Sequence, residues 1–222
     1  MKAKSAFRAF SPSLAGACLR YAVMDLLRFG RVLDPESLAA MQEGSRRHRQ
    51  FQQELLHLGE LVAVEERVKD DSLMVSGRMD AVVRWRETLQ VVEYKTVNAE
   101  RFEQIRRDGP LIAHFAQLAL YMELTGYPSG HLVVESRDNA ERIDFVFAPD
   151  VAWGLWLRQR IVSALFAAKN RQLPEREVSL GCRSCDRWSR CFKTEDDRDQ
   201  AAQAHPLWEP EPPYPQLPAV VD

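Results

Sequence analysis

The 222 residues carry 30 basic and 32 acidic side chains, a net charge of −2, and 45% of them are hydrophobic. That length and apolar content suit one sizeable domain with a core of its own. The near-neutral charge excludes a protein that coats nucleic acid by bulk electrostatics, while leaving room for a local basic groove.

Read in chain order, residues 13 to 29 (SLAGACLRYAVMDLLRF) predict an amphipathic helix closed by Gly30. A second helix follows, with Asp34 as N-cap, Pro35 at its first position and Gly59 at its end. Residues 61 to 68 predict a strand. LMVSGRMDAVVRWR and LQVVEYKTV predict two more, joined by a polar turn around Glu87 and Thr88. A helix is expected from about 110 to 125, with Gly126 at its end. GHLVVES and RIDFVFA read as strands, and PDVAWGLWLRQRIVSALFAAKNRQ as a long helix. The order predicts an α/β or α+β domain with one central mixed sheet flanked by helices. The domain is expected to span residues 1–195. From about 196 the chain should be an extended linker or tail, since six of its twelve prolines fall in the last 17 residues. No apolar run approaches the ~20 residues of a membrane span. The opening MKAKSAFRAFSPS lacks the apolar stretch of a secretory signal, so no membrane partner is expected and the cytoplasm is the expected compartment.

The stretch QVVEYKTV, residues 90–97, has strand composition but carries Glu93 and Lys95 two apart. Alternation puts both on one face, roughly 7 Å from each other. A structural ion pair at a sheet edge is one reading. The preceding strand supplies another, because a hairpin brings Asp80 to the same end of the sheet. Two carboxylates held within a few ångströms repel unless a cation lies between them. A hard divalent ion such as Mg²⁺ suits such oxygen ligands. A lysine beside it can orient an attacking water or neutralise charge developing on a phosphate.

Asp80 followed by Glu93-Tyr94-Lys95 resembles the D…(D/E)xK signature of PD-(D/E)XK nucleases. Gln117 and Tyr121, in QLALY, resemble the QxxxY motif of the RecB-like branch, and at i and i+4 they share a helix face. His48, in GSRRHRQF, resembles that branch's upstream metal-binding histidine. Cys182, Cys185 and Cys191, with Cys18 near the other end, resemble the iron–sulfur RecB-like nucleases. These include the AddB nuclease domain and, most like this chain in length, the CRISPR-associated exonuclease.

The resemblance implies a restriction-endonuclease-like core hydrolysing single-stranded DNA or overhangs with Mg²⁺ or Mn²⁺, trimming spacer precursors beside the CRISPR integrase. It implies Asp80, Glu93, His48 and the Tyr94 backbone carbonyl as metal ligands. Lys95 would act on the water or on developing charge, and Gln117 and Tyr121 would position Lys95 or the DNA. It also implies a 4Fe–4S cluster on Cys18, Cys182, Cys185 and Cys191. Four thiolates could hold Zn²⁺ instead, although the C-x2-C-x5-C spacing is loose for a zinc ribbon, and Cys18 alone reads as core packing.

For DNA contact the sequence offers Arg46, Arg47 and Arg49 around His48, then Arg106 and Arg107. Arg183, Arg187 and Arg190 stud the cysteine loop, with Trp188 and Phe192 available to stack on bases. A repair or phage exonuclease, and a catalytically silent DNA-end binder, remain as alternatives.

Overall fold

The computed structural model describes residues 7–58, 60–205 and 217–218. Its centre is a five-stranded sheet in the order β1-β4-β5-β6-β7. These strands are Leu61–Val64 (β1), Ala81–Trp85 (β4), Thr88–Val97 (β5), Ser129–Ser136 (β6) and Arg142–Phe147 (β7). β5 and β6 run parallel, and the other neighbours are antiparallel, so the sheet is mixed. A parallel pair needs a long crossover. Here two helices supply it, Ala99–Asp108 (α3) and Ile112–Thr125 (α4). Arg67–Asp70 (β2) and Val75–Arg78 (β3) form a separate two-stranded ribbon.

Alternation along β5 divides the molecule. Val91 and Val97 face a large core built with α4 and with Val151–Lys169 (α5). Val92 and Tyr94 face a smaller cluster that buries Phe51 and Leu55 of Pro35–Leu58 (α2). Glu93 and Lys95 therefore belong to the α4 face, while α2 covers the other.

The helix expected over 13–29 is broken. A 3-10 turn at Pro12–Leu14 precedes α1, Leu19–Leu26, and Cys18 occupies the N-cap position of α1 with non-helical backbone and no side-chain cap bond. Gly16 explains the break, because it lies flat against α4. A Cβ there would stand 2.4 Å from Ala113 Cα. The strand expected over 61–68 also breaks, at Glu65 with φ +47°, so that β2 leaves the sheet. The one expected from 73 to 86 breaks after Arg78, which leaves Met79 and Asp80 between β3 and β4. The β4–β5 turn is Arg86-Glu87, both at positive φ, with Trp85 opposite Thr88. That is the two-residue hairpin geometry whose twist matches its strands, one residue earlier than expected.

Two helices were not expected. α3 is capped by the Asn98 side chain, which accepts from Arg101 N at 3.0 Å, and it buries Phe102 and Ile105. Glu195–Gln203 (α6) starts where an extended tail was expected. Thr194 and Asp197 form a reciprocal capping box at its start, and it buries Ala202. The prolines from 206 to 215 lie outside the described residues. Among the described residues no helix is long and apolar enough to cross a membrane.

Candidate active site

The β4–β5 register pairs Ala81 with Val92, so one step further places Asp80 opposite Glu93. Instead of continuing the ladder, Asp80 turns its carboxylate onto the backbone. Its Oδ2 accepts Tyr94 N at 2.8 Å. Oδ1 lies 3.5 Å from His48 Nδ1 on α2. Asp80 thus lies close enough to Glu93 and Lys95 to act on both electrostatically, and His48 approaches it from α2.

Glu93 is completely buried. Lys95 Nζ lies 2.6 Å from its Oε1, yet neither carboxylate oxygen has a well-aligned hydrogen-bond donor among the described residues. Burial pushes the Glu93 carboxyl up to about 8; Lys95 draws it back and Asp80 raises it further. Burial works against the Lys95 ammonium, but Glu93 and Asp80 outweigh it and hold that ammonium above its ordinary value. A buried carboxyl group whose oxygens lack aligned donors, next to a second carboxylate, is a donor set suited to a hard divalent cation, which would bring the raised pKa of Glu93 back down.

Lys95 Nζ also donates to Gln117 Oε1 at 2.9 Å. Tyr121, one turn further along α4, does not reach Lys95. Its buried hydroxyl donates to Arg78 O at 2.6 Å and so ties β3 to the helix. Gly77 allows this approach, because a Cβ there would stand 2.6 Å from Pro12 Cδ and 3.2 Å from the Tyr121 hydroxyl. Beside these residues opens a polar cleft of about 450 Å³, walled by Ser11, Ser13, Arg67, Ser76, Gln117 and Tyr121.

Sequence reasoning missed this cleft, whose serines and Arg67 belong to no motif. It also missed His114, one turn before Gln117 on α4. Burial, then Lys95 and Arg101, push that imidazole down to about 3, and its Nδ1 has no hydrogen-bond partner among the described residues. The i, i+3 spacing from Gln117 was its only signal.

The arginines chosen from sequence have mixed fates. Arg46 pairs with Glu43 at 2.7 Å and Arg49 is exposed. Arg47 is drawn inward, to Glu43 at 2.6 Å, to Glu135, and to Arg137 O at 2.7 Å. Arg106 pairs with Glu141, and Arg107 with Asp108. Arg183 and Arg190 are exposed. Arg187 is buried against Asp25 at 2.7 Å, with its guanidinium over the Tyr21 ring. Trp188 and Phe192 already have Arg198 and Arg176 over their rings.

All four cysteines are free and line one mostly apolar cavity of about 330 Å³. Cys18 enters from the start of α1. The others sit on or beside two 3-10 turns, Leu180–Ser184 and Trp188–Arg190. Burial pushes the Cys185 thiol up to about 11 and raises Cys18 and Cys182. Among the described residues no three His, Cys, Asp or Glu side chains already stand in metal-holding geometry, here or around Glu93. The donor set of four thiols facing one cavity nevertheless fits a thiolate-bound metal or cluster.

A mixed sheet with an Asp, a buried Glu and a Lys gathered at one strand end, backed by a Gln-bearing helix, defines a nuclease-type α/β fold. The sequence matches the PD-(D/E)XK nuclease superfamily over residues 17–192, and the chain belongs to that superfamily. Its fold is similar to that of an alkaline exonuclease from Laribacter hongkongensis, with a TM-score of 0.56 and 15% identity over 72% of this chain and 88% of that one. The same exonuclease in complex with dAMP gives a TM-score of 0.57 and 16% identity, over 73% and 89%. A structure designated SSO0001 gives a TM-score of 0.51 and 17% identity, over 83% and 86%. None of the curated proteins matches the sequence.

Proposed function

We propose that this PD-(D/E)XK nuclease is a metal-dependent DNA nuclease that cleaves single-stranded DNA or overhangs. The observation that carries the reading is Glu93, wholly buried, with oxygens that lack aligned donors, between Asp80 and Lys95. Asp80 and Glu93 would hold Mg²⁺ or Mn²⁺, with His48 and the Tyr94 backbone carbonyl as further ligands. Bound there, the ion supplies Lewis acidity toward a phosphate oxygen and makes water a nucleophile at neutral pH. Lys95, held by Gln117, would orient an attacking water and offset charge developing on the phosphate. Tyr121 keeps β3 and the wall of the polar cleft in place. The cleft's serines and Arg67 suit a phosphodiester strand, and exposed Arg46 and Arg49 flank His48 along α2.

The cysteine cavity would hold a structural 4Fe–4S cluster that joins the start of α1 to the loop after α5. With that quartet, the reading extends to trimming of spacer precursors beside the CRISPR integrase. A cleavage assay on single-stranded and overhang DNA with Mn²⁺, using Glu93→Ala as the control, tests the core of it. Cleavage that is lost in the variant and in chelator is expected. Wild-type cleavage in the variant would reject the site.

A further inference from the structure

α2 runs for 24 residues, yet only Phe51 and Leu55 are buried along it. That is a narrow apolar footing for the helix that carries His48. An apolar contact of two side chains is non-directional and leaves a helix free to roll or slide. Directional contacts must fix its rotation.

They converge on Glu135 of β6, a carboxylate that is 3% exposed. Its two oxygens are shared between two arginines, Oε1 with Arg47 on α2 and Oε2 with Arg142 Nε at 2.5 Å. Arg142, on β7, then forks back to α2, with its Nη1 and Nη2 on Glu54 at 2.5 and 3.3 Å. Arg47 adds bonds to Arg137 O and Ser136 O. The helix is therefore gripped directly before His48 and again six residues after it. Between the grips, Phe51 stacks on Tyr94 at 4.5 Å, and the His48 ring meets Tyr94 edge-on at 4.9 Å. Gln52 donates to the Asp80 carbonyl at 3.0 Å.

A buried ionic network of this kind is a poor source of stability, since its desolvation cost offsets much of the attraction. Its fixed fork geometry specifies orientation instead. We infer that Glu135 is a positioning residue for the metal site. Acting through Arg47 and Arg142, it sets the rotation of α2 so that His48 faces Asp80. This inference rests on the proposed metal site at Asp80 and Glu93. Residues that orient ligands in this way commonly tune metal affinity by 10- to 100-fold.

The test is Mn²⁺ binding to the DNA-free full chain, followed by electron paramagnetic resonance titration, with thermal melting in parallel. Glu135→Gln keeps the shape and removes the charge. It should weaken Mn²⁺ binding by about 10-fold. His48→Ala should weaken it comparably, and the double variant should bind no more weakly than His48→Ala alone. Should Glu135→Gln fail to fold, Glu54→Gln removes only the outer arm. It should give a smaller loss, again abolished in the His48→Ala background. Wild-type affinity in the folded variant, or a loss that adds to that of His48→Ala, would overturn the inference. Glu93→Ala separates the two levels of the argument. If it binds Mn²⁺ normally, the metal site itself is misplaced. If it does not while Glu135→Gln does, only the positioning role fails.

Discussion

Asp80 Oδ2 accepts the backbone N–H of Tyr94 at 2.8 Å, so a side chain stands where the β4–β5 ladder would have supplied a carbonyl. The bond lets the strand end early without orphaning a donor, and it fixes one carboxylate beside another. A structural bond and the proposed ligand role thus meet in one residue, and substitution can separate them. Asp80→Asn retains an oxygen for Tyr94 N and should melt near the wild type. Asp80→Ala leaves that donor unmet and should lose about 1–3 kcal/mol in denaturant unfolding. Both should cleave DNA at least about 100-fold more slowly, since each removes the charge. Activity retained by the Asn variant would deny Asp80 its ligand role.

Among the described residues Lys95 is the cation that pairs with buried Glu93, at 2.6 Å. Removing one member of a buried pair strands the other, at a cost of about 3–5 kcal/mol. Lys95→Met should therefore melt well below the wild type in chelator. Saturating Mn²⁺ should restore much of the difference, because the ion takes over the neutralising role. Melting curves with and without Mn²⁺ check this. An equal deficit in both conditions would show that no cation binds next to Glu93.

Arg187 and Asp25 tie the cysteine loop to α1 at 2.7 Å, and both are buried. Burial would raise the Asp25 carboxyl, but Arg187 and then Arg31 outweigh it and hold it below its ordinary value. A folded pKa below the unfolded one, about 3.9, means the contribution is complete above about pH 5. It is lost as pH falls through the folded value. Asp25→Asn should cost about 3–5 kcal/mol at neutral pH, with Arg187 left buried and unpaired. The gap between wild type and variant should narrow as pH drops below about 4. Urea unfolding from pH 6 to pH 2.5 measures it, and a gap that widens toward acid would refute the pairing.

The sequence made the sheet and the gathering of Asp80, Glu93 and Lys95 legible because both follow from local rules, strand alternation and a hairpin. Only the resemblance to the QxxxY motif placed Gln117 beside Lys95. Long-range packing was not legible. Gly16 breaks the first helix only because Ala113 lies against it, and nothing near Gly16 in the sequence announces α4. α3 was overlooked although Asn98 caps it and Phe102 and Ile105 give it an apolar face. Its polar composition outweighed three quiet signals. A basic cluster such as Arg46 to Arg49 cannot reveal from sequence that Arg47 is turned inward to Glu135, because that carboxylate lies 88 residues away.

The cysteines give the last prediction. Cys18 occupies the N-cap position of α1, and the other three follow α5, yet all four face one cavity of about 330 Å³. Raised thiol pKa values are what burial imposes on sulfur without a metal, and a bound cation would reverse them by stabilising thiolates. Protein purified without oxygen should therefore be brown, with broad absorption near ~400 nm and stoichiometric iron and labile sulfide. Cys18→Ala and Cys191→Ala should each bleach it. They should also expose the loop after α5 to protease, since a shared ligand set closes the long loop between the two cysteine groups. The Glu93 site lies on the sheet, away from that cavity, so Glu93→Ala should keep its colour while losing cleavage. Colourless protein with one zinc per chain and no iron would replace the cluster by a zinc site and leave the nuclease centre unaffected.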